Sequence, residues 1–218
     1  MHSSNRFFIA AAATTVLFIA TAAEGAHLDM SDPRRALGRQ DDIRVDAQLL
    51  QDTISSSSAI GVTYQIQNLT SAPIAVADKM IELDFDSESR VVTLSIGAEV
   101  PTGTTVPHLV VIPAGEKRTL TVGGMLHAAI PNVQSRFAVV PRSVQVKVSV
   151  LRDLEPFAAV LEAQKKANAP LPLPNDLFDR WVESADSVYL NPIPVRWKVE
   201  PSRGADASVS RIDPQPNF

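Results

Sequence analysis

The sequence predicts an all-β fold, an antiparallel β-sandwich or barrel. Between residues 60 and 150, apolar and polar residues alternate over short segments, and residues typical of turns separate these segments. The clearest alternation is the run of Val144, Val146, Val148 and Val150. Because successive side chains of a strand point to opposite faces, a period of two indicates strands with one buried face. About seven or eight such strands between turns are typical of a sandwich or barrel.

The composition is that of an ordinary globular domain. The chain has 218 residues, of which 45% are hydrophobic and 20% are charged. Its 20 basic and 24 acidic residues give a formal net charge of −4. This charge argues against nucleic acid as the main ligand, since phosphate contacts need a basic face. The chain contains no cysteine, which rules out disulfides, thiolate metal sites and thiol nucleophiles.

Residues 1–22 have the pattern of a secretory signal peptide. Arg6 precedes an apolar run over residues 7–23, and the small residues Ala20 and Ala22 offer a cleavage site. We therefore expect export through a Sec-type signal peptide and a secreted or periplasmic protein. The alternative is an uncleaved membrane anchor, because the run is about as long as the shortest segments that span a bilayer, roughly 17 residues.

The elements that follow are predicted in order from this alternation. Residues 23–42 are polar and are expected to form a flexible lead-in. The first strand is predicted at 43–49, and the loop after it at 53–58. The next strand, 60–67, ends in a turn at 68–73. Further strands are predicted at 74–77, 80–85, 91–96, 108–112, 118–122, 137–140 and 144–150, with a hairpin tip at 86–89, a turn at 113–116, and loops at 101–107 and 123–131.

The pattern changes after residue 150. Asp153 is predicted to cap a helix that ends near Lys165 and Lys166, where the helix dipole favours cations. Asp176 is predicted to cap a second short helix that ends at Ser184. Two final strands are predicted at 187–190 and 193–199, and a disordered tail at 201–218. The expected organisation is a single domain at 43–200 with a helical excursion at 153–184.

The segment 62–122 resembles the immunoglobulin-like β-sandwich modules of exported bacterial proteins. The likeness rests on Tyr-Gln-Ile-Gln-Asn followed by Thr70 and Pro73, on the sequence Ile-Pro-Ala-Gly-Glu at 112–116, and on the strand after it. The resemblance implies a fold and no particular activity, because these sandwiches host many functions. The chain departs from the pattern of antibody domains in lacking their paired cysteines and inward tryptophan. The helices after Asp153 are either an added layer or the part that gives this protein its specificity.

Candidate catalytic and metal-binding residues are few. Beyond the signal peptide the histidines are His27, His108 and His127, and no Gly-x-Ser-x-Gly motif accompanies them. The acidic residues Asp84, Asp86 and Glu88 alternate, but Ser89 and Ser95 stand where a calcium-binding EF-hand loop needs Gly and Glu. We interpret this segment as a solvated hairpin tip. No catalytic residue, metal site or cofactor is predicted, and the binding residues are left unknown.

Two further features bear on function. Aromatic residues gather in the last quarter of the chain and are interpreted as core, although together on the surface they would form a binding site; they are Phe178, Trp181, Tyr189 and Trp197. Residues 68–70, Asn-Leu-Thr, form a glycosylation sequon that matters only in a eukaryotic source.

The sequence favours an exported, non-enzymatic β-sandwich that binds a protein or an envelope component or has a structural role there. Edge strands of such folds can accept a strand of a partner. The alternative is a hydrolase or accessory enzyme domain with a site at the seam between the sandwich and residues 153–199. A third hypothesis is a membrane-tethered structural protein, which requires that residues 1–22 are retained. A deep pocket with convergent polar groups would favour the enzyme.

Overall fold

The computed structural model describes residues 31–56, 58–101, 105–126, 138–166 and 171–198. Strands account for 50% of these residues and helices for 15%, so the predicted predominance of β-structure is confirmed. The signal peptide, the tail, His27 and His127 lie outside the described residues. In chain order the elements are β1 (Arg35–Gln40), β2 (Ile43–Leu49), β3 (Thr53–Ile54), β4 (Ala59–Asn68), β5 (Ile74–Val76), β6 (Ile81–Asp86), β7 (Val91–Ile96), β8 (Thr105–Val106), β9 (Val110–Ile112), β10 (Lys117–Met125), β11 (Ser143–Leu151), a 3-10 turn (Glu155–Phe157), α1 (Ala158–Lys166), β12 (Leu171–Pro172), α2 (Asn175–Ser184), β13 (Ala185–Tyr189), β14 (Ile193–Pro194) and β15 (Arg196–Trp197).

The first sheet is antiparallel, with the strand order β1-β2-β4-β10. Its central strands follow the predicted alternation, because one residue in two faces the second sheet. Tyr64 of β4 lies opposite Ala47 of β2 and Leu120 of β10. The bounds predicted for the strand at 43–49 are confirmed.

The second sheet has the order β6-β7-β11-β5-β9, and β13 and β14 also pair with β11. The pairing of β7 with β11 is parallel, with Val92 opposite Val144 and Ile96 opposite Val148. The prediction of a purely antiparallel fold is therefore wrong for this pair. Parallel neighbours need a long crossover, and here residues 97–142 make it.

The two sheets share a core of aliphatic side chains, which we call the inner core. Leu94 of β7 and Ile66 of β4 are fully buried in it, and the predicted inward valines of β11 are buried too. The inner core comprises residues from both sheets, among them Ile43, Val45, Leu49, Val62, Tyr64, Val92, Ile96, Val144, Val146, Val148 and Val150.

A second cluster, the outer core, lies between the other face of the second sheet and the helical segment. The rings of Phe157 and Trp181 meet there edge to face, with centroids 5.8 Å apart. The indole Nε1 of Trp181 donates a hydrogen bond to the Ala98 carbonyl, 2.9 Å away. The outer core comprises Ala75, Ala77, Val106, Leu109, Leu151, Leu154, Phe157, Leu177 and Trp181. The helices thus form a layer on the sheet.

The predicted flexible lead-in is wrong for residues 35–40, which form β1. This strand lies at the edge of the first sheet, where Ala36 is buried and Arg35 forms an ion pair with Asp46 of β2. Because an edge strand buries few side chains, its sequence remains polar, and hydrophobic alternation does not reveal it.

Two further predicted elements have different bounds in the structure, and a third is not formed. Strand β10 continues through Gly123 and Gly124 into the predicted loop. A Cβ atom on Gly124 would lie 2.4 Å from Leu83 Cδ1, so glycine permits this close approach of β6. Helix α2 begins at Asn175 without a side-chain cap, and Asp176 lies in its first turn, where a carboxylate suits the helix dipole. The predicted strand at 137–140 is not formed over residues 138–140.

Candidate functional site

The strongest candidate site is a cleft of about 590 Å³ between the end of the second sheet and helix α1, which we call the seam cleft. It lies at the seam where the alternative hypothesis expected a site. The sheet contributes Leu109 and Val111, and the helical segment contributes Leu154, Ala158 and Leu161. Exposed charged residues of α1 and the preceding turn form its rim.

Local sequence explains how α1 comes to lie over the sheet. The prediction that Asp153 caps this helix is wrong, because Leu154 is at the N-cap and makes no side-chain cap hydrogen bond. The Asp153 carboxylate instead accepts a hydrogen bond from the Glu155 amide at 3.0 Å and orders the turn that leads into the helix. Phe157 is fully buried in the outer core and anchors the start of the helix. Within α1 itself no residue is fully buried, and Leu161 is only partly covered. The helix is thus held mainly at its start, and the cleft opens along its length.

Gln164 of α1 bridges to the chain that enters β9. Its side-chain Nε2 donates to the Pro107 carbonyl at 2.7 Å, and its Oε1 accepts from the Leu109 amide at 3.3 Å. One carboxamide thus satisfies a backbone acceptor and a backbone donor two residues apart. This bridge links the end of α1 to the chain at the sheet edge.

A histidine–aspartate pair stands at the mouth of the cleft. His108 Nδ1 lies 2.8 Å from Asp78 Oδ1, and about half of the His108 side chain is exposed. Burial raises the pKa of the nearby Tyr64 hydroxyl above its ordinary value, and the Asp78 charge raises it further. Glu162 and Lys165 on the rim form an ion pair of 2.6 Å.

A second cleft of about 590 Å³ lies on the outer face of the second sheet and has a mixed polar and apolar lining. Lys147 forms an ion pair of 2.9 Å with Glu99, and its Nζ lies 5.3 Å from the Tyr189 ring centroid. A hydrogen bond from Ser187 and then the pairing with Lys147 lower the pKa of the Glu99 carboxyl. Burial acts to lower the Lys147 pKa, but the hydrogen bonds and charges of Glu99 and Tyr189 together outweigh it, so the pKa is raised. Lys147 therefore remains a cation rather than a nucleophile.

The sequence-derived site candidates are mostly structural. In the described residues His108 bonds to Asp78 and to no serine. Asp86 accepts hydrogen bonds from the Ser89 hydroxyl and the Glu88 amide within its own hairpin tip, and the Ser89 bond lowers its pKa. No group of three or more potential metal ligands occurs in the described part of the chain.

The four aromatic residues do not form one surface. Trp181 is buried in the outer core, and Trp197 is partly buried against the inner core, so both support the core interpretation. Phe178 and Tyr189 are exposed, and for them that interpretation is wrong. The Phe178 side of α2 faces outward because Leu177 and Trp181 already anchor the opposite side.

The sequon asparagine is part of the fold. Asn68 is fully buried, and its Nδ2 donates to the carbonyls of Ala72 at 2.8 Å and Ile112 at 3.0 Å. Its backbone also pairs with Gly115 and Glu116 of the Pro-Ala-Gly-Glu turn. The nitrogen that would carry a glycan is therefore engaged and shielded in the folded protein.

Sequence reasoning located the seam but missed the residues that line its cleft. Leu109 and Val111 lie in the strand predicted at 108–112, and Leu161 and Gln164 lie in the helix predicted after Asp153, but the sequence does not bring them together. One signal was available, because the run Ile-Ala-Val-Ala at 74–77 has no polar alternation. A strand without alternation is buried on both faces, which implies a layer packed on the outer face of the sheet.

Comparison of the chain with protein-family models, with curated proteins and with solved structures finds no match. Among the helices of the described residues, none has the length and apolar character needed to cross a bilayer.

Proposed function

We propose that the protein is an exported, immunoglobulin-like β-sandwich of the cell envelope that binds a protein or an envelope component in the seam cleft. The observation that carries this proposal is the lining of the cleft. Leu109, Val111 and Leu161 form an apolar floor, and Glu155 and Lys165 lie on an exposed charged rim. An apolar centre within a polar rim is the usual anatomy of a protein-binding surface.

Two features support the immunoglobulin-like part of the proposal. Two sheets pack their inner faces on one aliphatic core. The two sequence segments on which the resemblance rests also contact each other, since the Asn68 amide donates to the Glu116 carbonyl at 2.9 Å and the Gly115 amide to the Asn68 carbonyl at 2.8 Å. The motif thus acts as one structural unit.

Export is tested at the amino terminus. We expect mass spectrometry of the protein purified from the envelope of its native host to find a chain that begins near residue 23. An envelope protein that still begins at Met1 would show that the leader is retained as an anchor.

The cleft is tested by site-specific cross-linking, which the cysteine-free sequence makes simple. A benzophenone maleimide is attached to Ala158→Cys in the cleft and, as the matched control, to Ser89→Cys at the exposed hairpin tip. After irradiation in envelope extract we expect a discrete adduct from position 158 only, which Leu161→Asp in the same chain removes. The same adducts from both positions would contradict the proposal.

A hydrolase or accessory enzyme at the same seam is the second candidate, and the His108–Asp78 pair of 2.8 Å supports it. A carboxylate that orients an imidazole is part of many hydrolase sites. In those sites the imidazole acts as a base on a nucleophile such as a serine hydroxyl. We expect the protein to remain unlabelled by a fluorophosphonate probe that reacts with activated serines. Labelling that His108→Ala abolishes would favour the enzyme.

A further inference from the structure

We propose that the seam cleft receives an extended peptide segment, which adds as a strand to the outer edge of β9 and of residues 107–109 just before it, and that Gln164 covers residues 107–109 until the peptide binds. The proposal rests on the proposed function and names the chemistry of the partner. Its segment carries a row of apolar side chains at alternate positions and a basic side chain on the same face, beside one end of that row.

The edge of β9 is the first observation. β9 is the last strand of its sheet, and β5 is its only paired strand among the described residues. Just before it, Val106 pairs with Leu171 of β12, so the same chain already accepts a short neighbouring strand at one point. An edge strand of this kind offers backbone donors and acceptors to an incoming chain.

The position of Gln164 is the second observation. Residues two apart in an extended segment present their peptide groups to the same edge. The Gln164 carboxamide gives a donor to the Pro107 carbonyl and an acceptor to the Leu109 amide, as the backbone of a neighbouring strand does. Since Gln164 makes both contacts through a side chain on a lightly anchored helix, a peptide backbone can replace them at little cost.

The shape of the cleft defines the side chains of the partner. Leu109 and Val111 are two residues apart and pack towards the outer core, beneath the cleft. A strand added beside β9 places every second side chain on this same face. Those side chains would lie over Leu161 and Ala158, so they are expected to be apolar. The intervening side chains point the other way.

The charge of the rim favours a basic partner. Lys165 is already paired with Glu162 at 2.6 Å. Glu155 adds an exposed carboxylate, and the Asp78 carboxylate lies at the mouth beside His108. The rim therefore carries an excess of negative charge, which lysine or arginine on the same face of the partner strand, beside its apolar row, would complement.

A display library of random twelve-residue peptides, selected on the full chain, tests the side-chain pattern. We expect the recovered peptides to carry apolar residues at every second position with lysine or arginine on the same face at an end of this row, and to lose binding to Leu161→Asp. Peptides with apolar residues at helical spacing, peptides that bind Leu161→Asp equally well, or failure to recover any peptide would overturn the proposal.

Backbone pairing is tested on the best recovered peptide without altering the protein. Methylation of the backbone nitrogens that point to one edge removes donors and keeps every side chain. We expect binding about tenfold weaker when one edge is methylated and little change when the opposite edge is methylated. Equal affinity for both methylated peptides and the parent would overturn strand addition.

The covering role of Gln164 is tested by substitution. Gln164→Ala removes the competing carboxamide, so the peptide should bind about fivefold more tightly, whereas the exposed neighbour Lys166→Ala should leave the affinity unchanged. Unchanged or weaker binding by Gln164→Ala would overturn this role. If position 158 still gives its specific cross-link while the methylated peptides bind normally, the proposed function stands and strand addition fails.

Discussion

The inner and outer cores share the second sheet but are built differently. The inner core is closed, and its members are side chains that are almost all fully buried and, apart from Tyr64, aliphatic. The outer core pairs the aromatic rings of Phe157 and Trp181 with short side chains of the sheet, and it is open at the seam cleft. The comparison indicates that the inner core provides most of the stability, and that the outer core leaves space for a ligand.

Leucine truncation in the two cores sharpens this contrast and has the largest expected effect. Leu94→Ala, in the inner core, should lower the free energy of unfolding by about 2–5 kcal/mol, because the closed surroundings cannot collapse into the cavity. Leu109→Ala, beside the cleft, should cost less, since solvent already reaches that region. Urea unfolding of both variants measures the difference, and an equal or larger loss for Leu109→Ala would contradict the comparison.

The same contrast explains what the sequence could predict. The inner core contains four alternate valines of β11, Val144, Val146, Val148 and Val150. The residues between them are polar, so this period of two can be recognised from the sequence alone. The polar edge strand β1 and the parallel partnership of β7 and β11 depend on which strands become neighbours. Contacts between residues far apart in the chain determine which strands pair, so local alternation does not predict these pairings.

The site was less predictable than the fold for a related reason. The seam cleft combines Leu109 with Leu161 and Gln164, which belong to separate elements and show ordinary spacing within each of them. Gln164 lies on the same helix face as Val160 and Leu161, but helical spacing does not predict what its carboxamide contacts. Its role arises from the Pro107 and Leu109 backbone beneath it.

Substitution of Gly97, at the end of β7, should have the next largest effect. This glycine follows β7 with a φ of +80°, and a Cβ atom there would lie 2.5 Å from the Ser149 carbonyl oxygen. Gly97→Ala should lose about 1–3 kcal/mol from backbone strain, with the clash adding to it. Gly115→Ala is the matched control, because its φ is +75° but no atom lies within 4 Å of the added carbon. Thermal unfolding should show a larger loss for Gly97→Ala, and equal losses would mean that the contact with Ser149 is unimportant.

Trp181→Phe tests whether the outer core can loosen by itself. The substitution removes the hydrogen bond to the Ala98 carbonyl and part of the aromatic contact, which should cost about 1–2 kcal/mol. We expect faster amide hydrogen exchange in α1 and α2, with β4 unchanged, because β4 packs only on the inner core. Phe178→Ala, on the exposed side of the same helix, should alter neither. Faster exchange throughout β4 would show that the two cores unfold as one unit.

Tyr64→Phe has the smallest expected effect and the opposite sign. The Tyr64 ring is fully buried in the inner core, and its hydroxyl has no hydrogen-bond partner among the described residues. Removal of this group should leave stability at neutral pH unchanged or raise it by up to about 1 kcal/mol, since a buried unpaired hydroxyl is unfavourable.

The pH dependence of the same variant gives an independent measurement. Because burial raises the Tyr64 pKa above its ordinary 10.0, the folded protein favours the neutral phenol. The contribution of the neutral Tyr64 phenol to stability is complete below pH 10.0. It is lost as the pH rises from 10.0 towards the raised pKa, because in that range the tyrosine ionises only in the unfolded chain. Urea unfolding at pH 7 and above pH 10 should therefore show a steeper alkaline loss for the parent than for Tyr64→Phe. Parallel losses would mean that water reaches this hydroxyl, and the inner core would then be open at Tyr64.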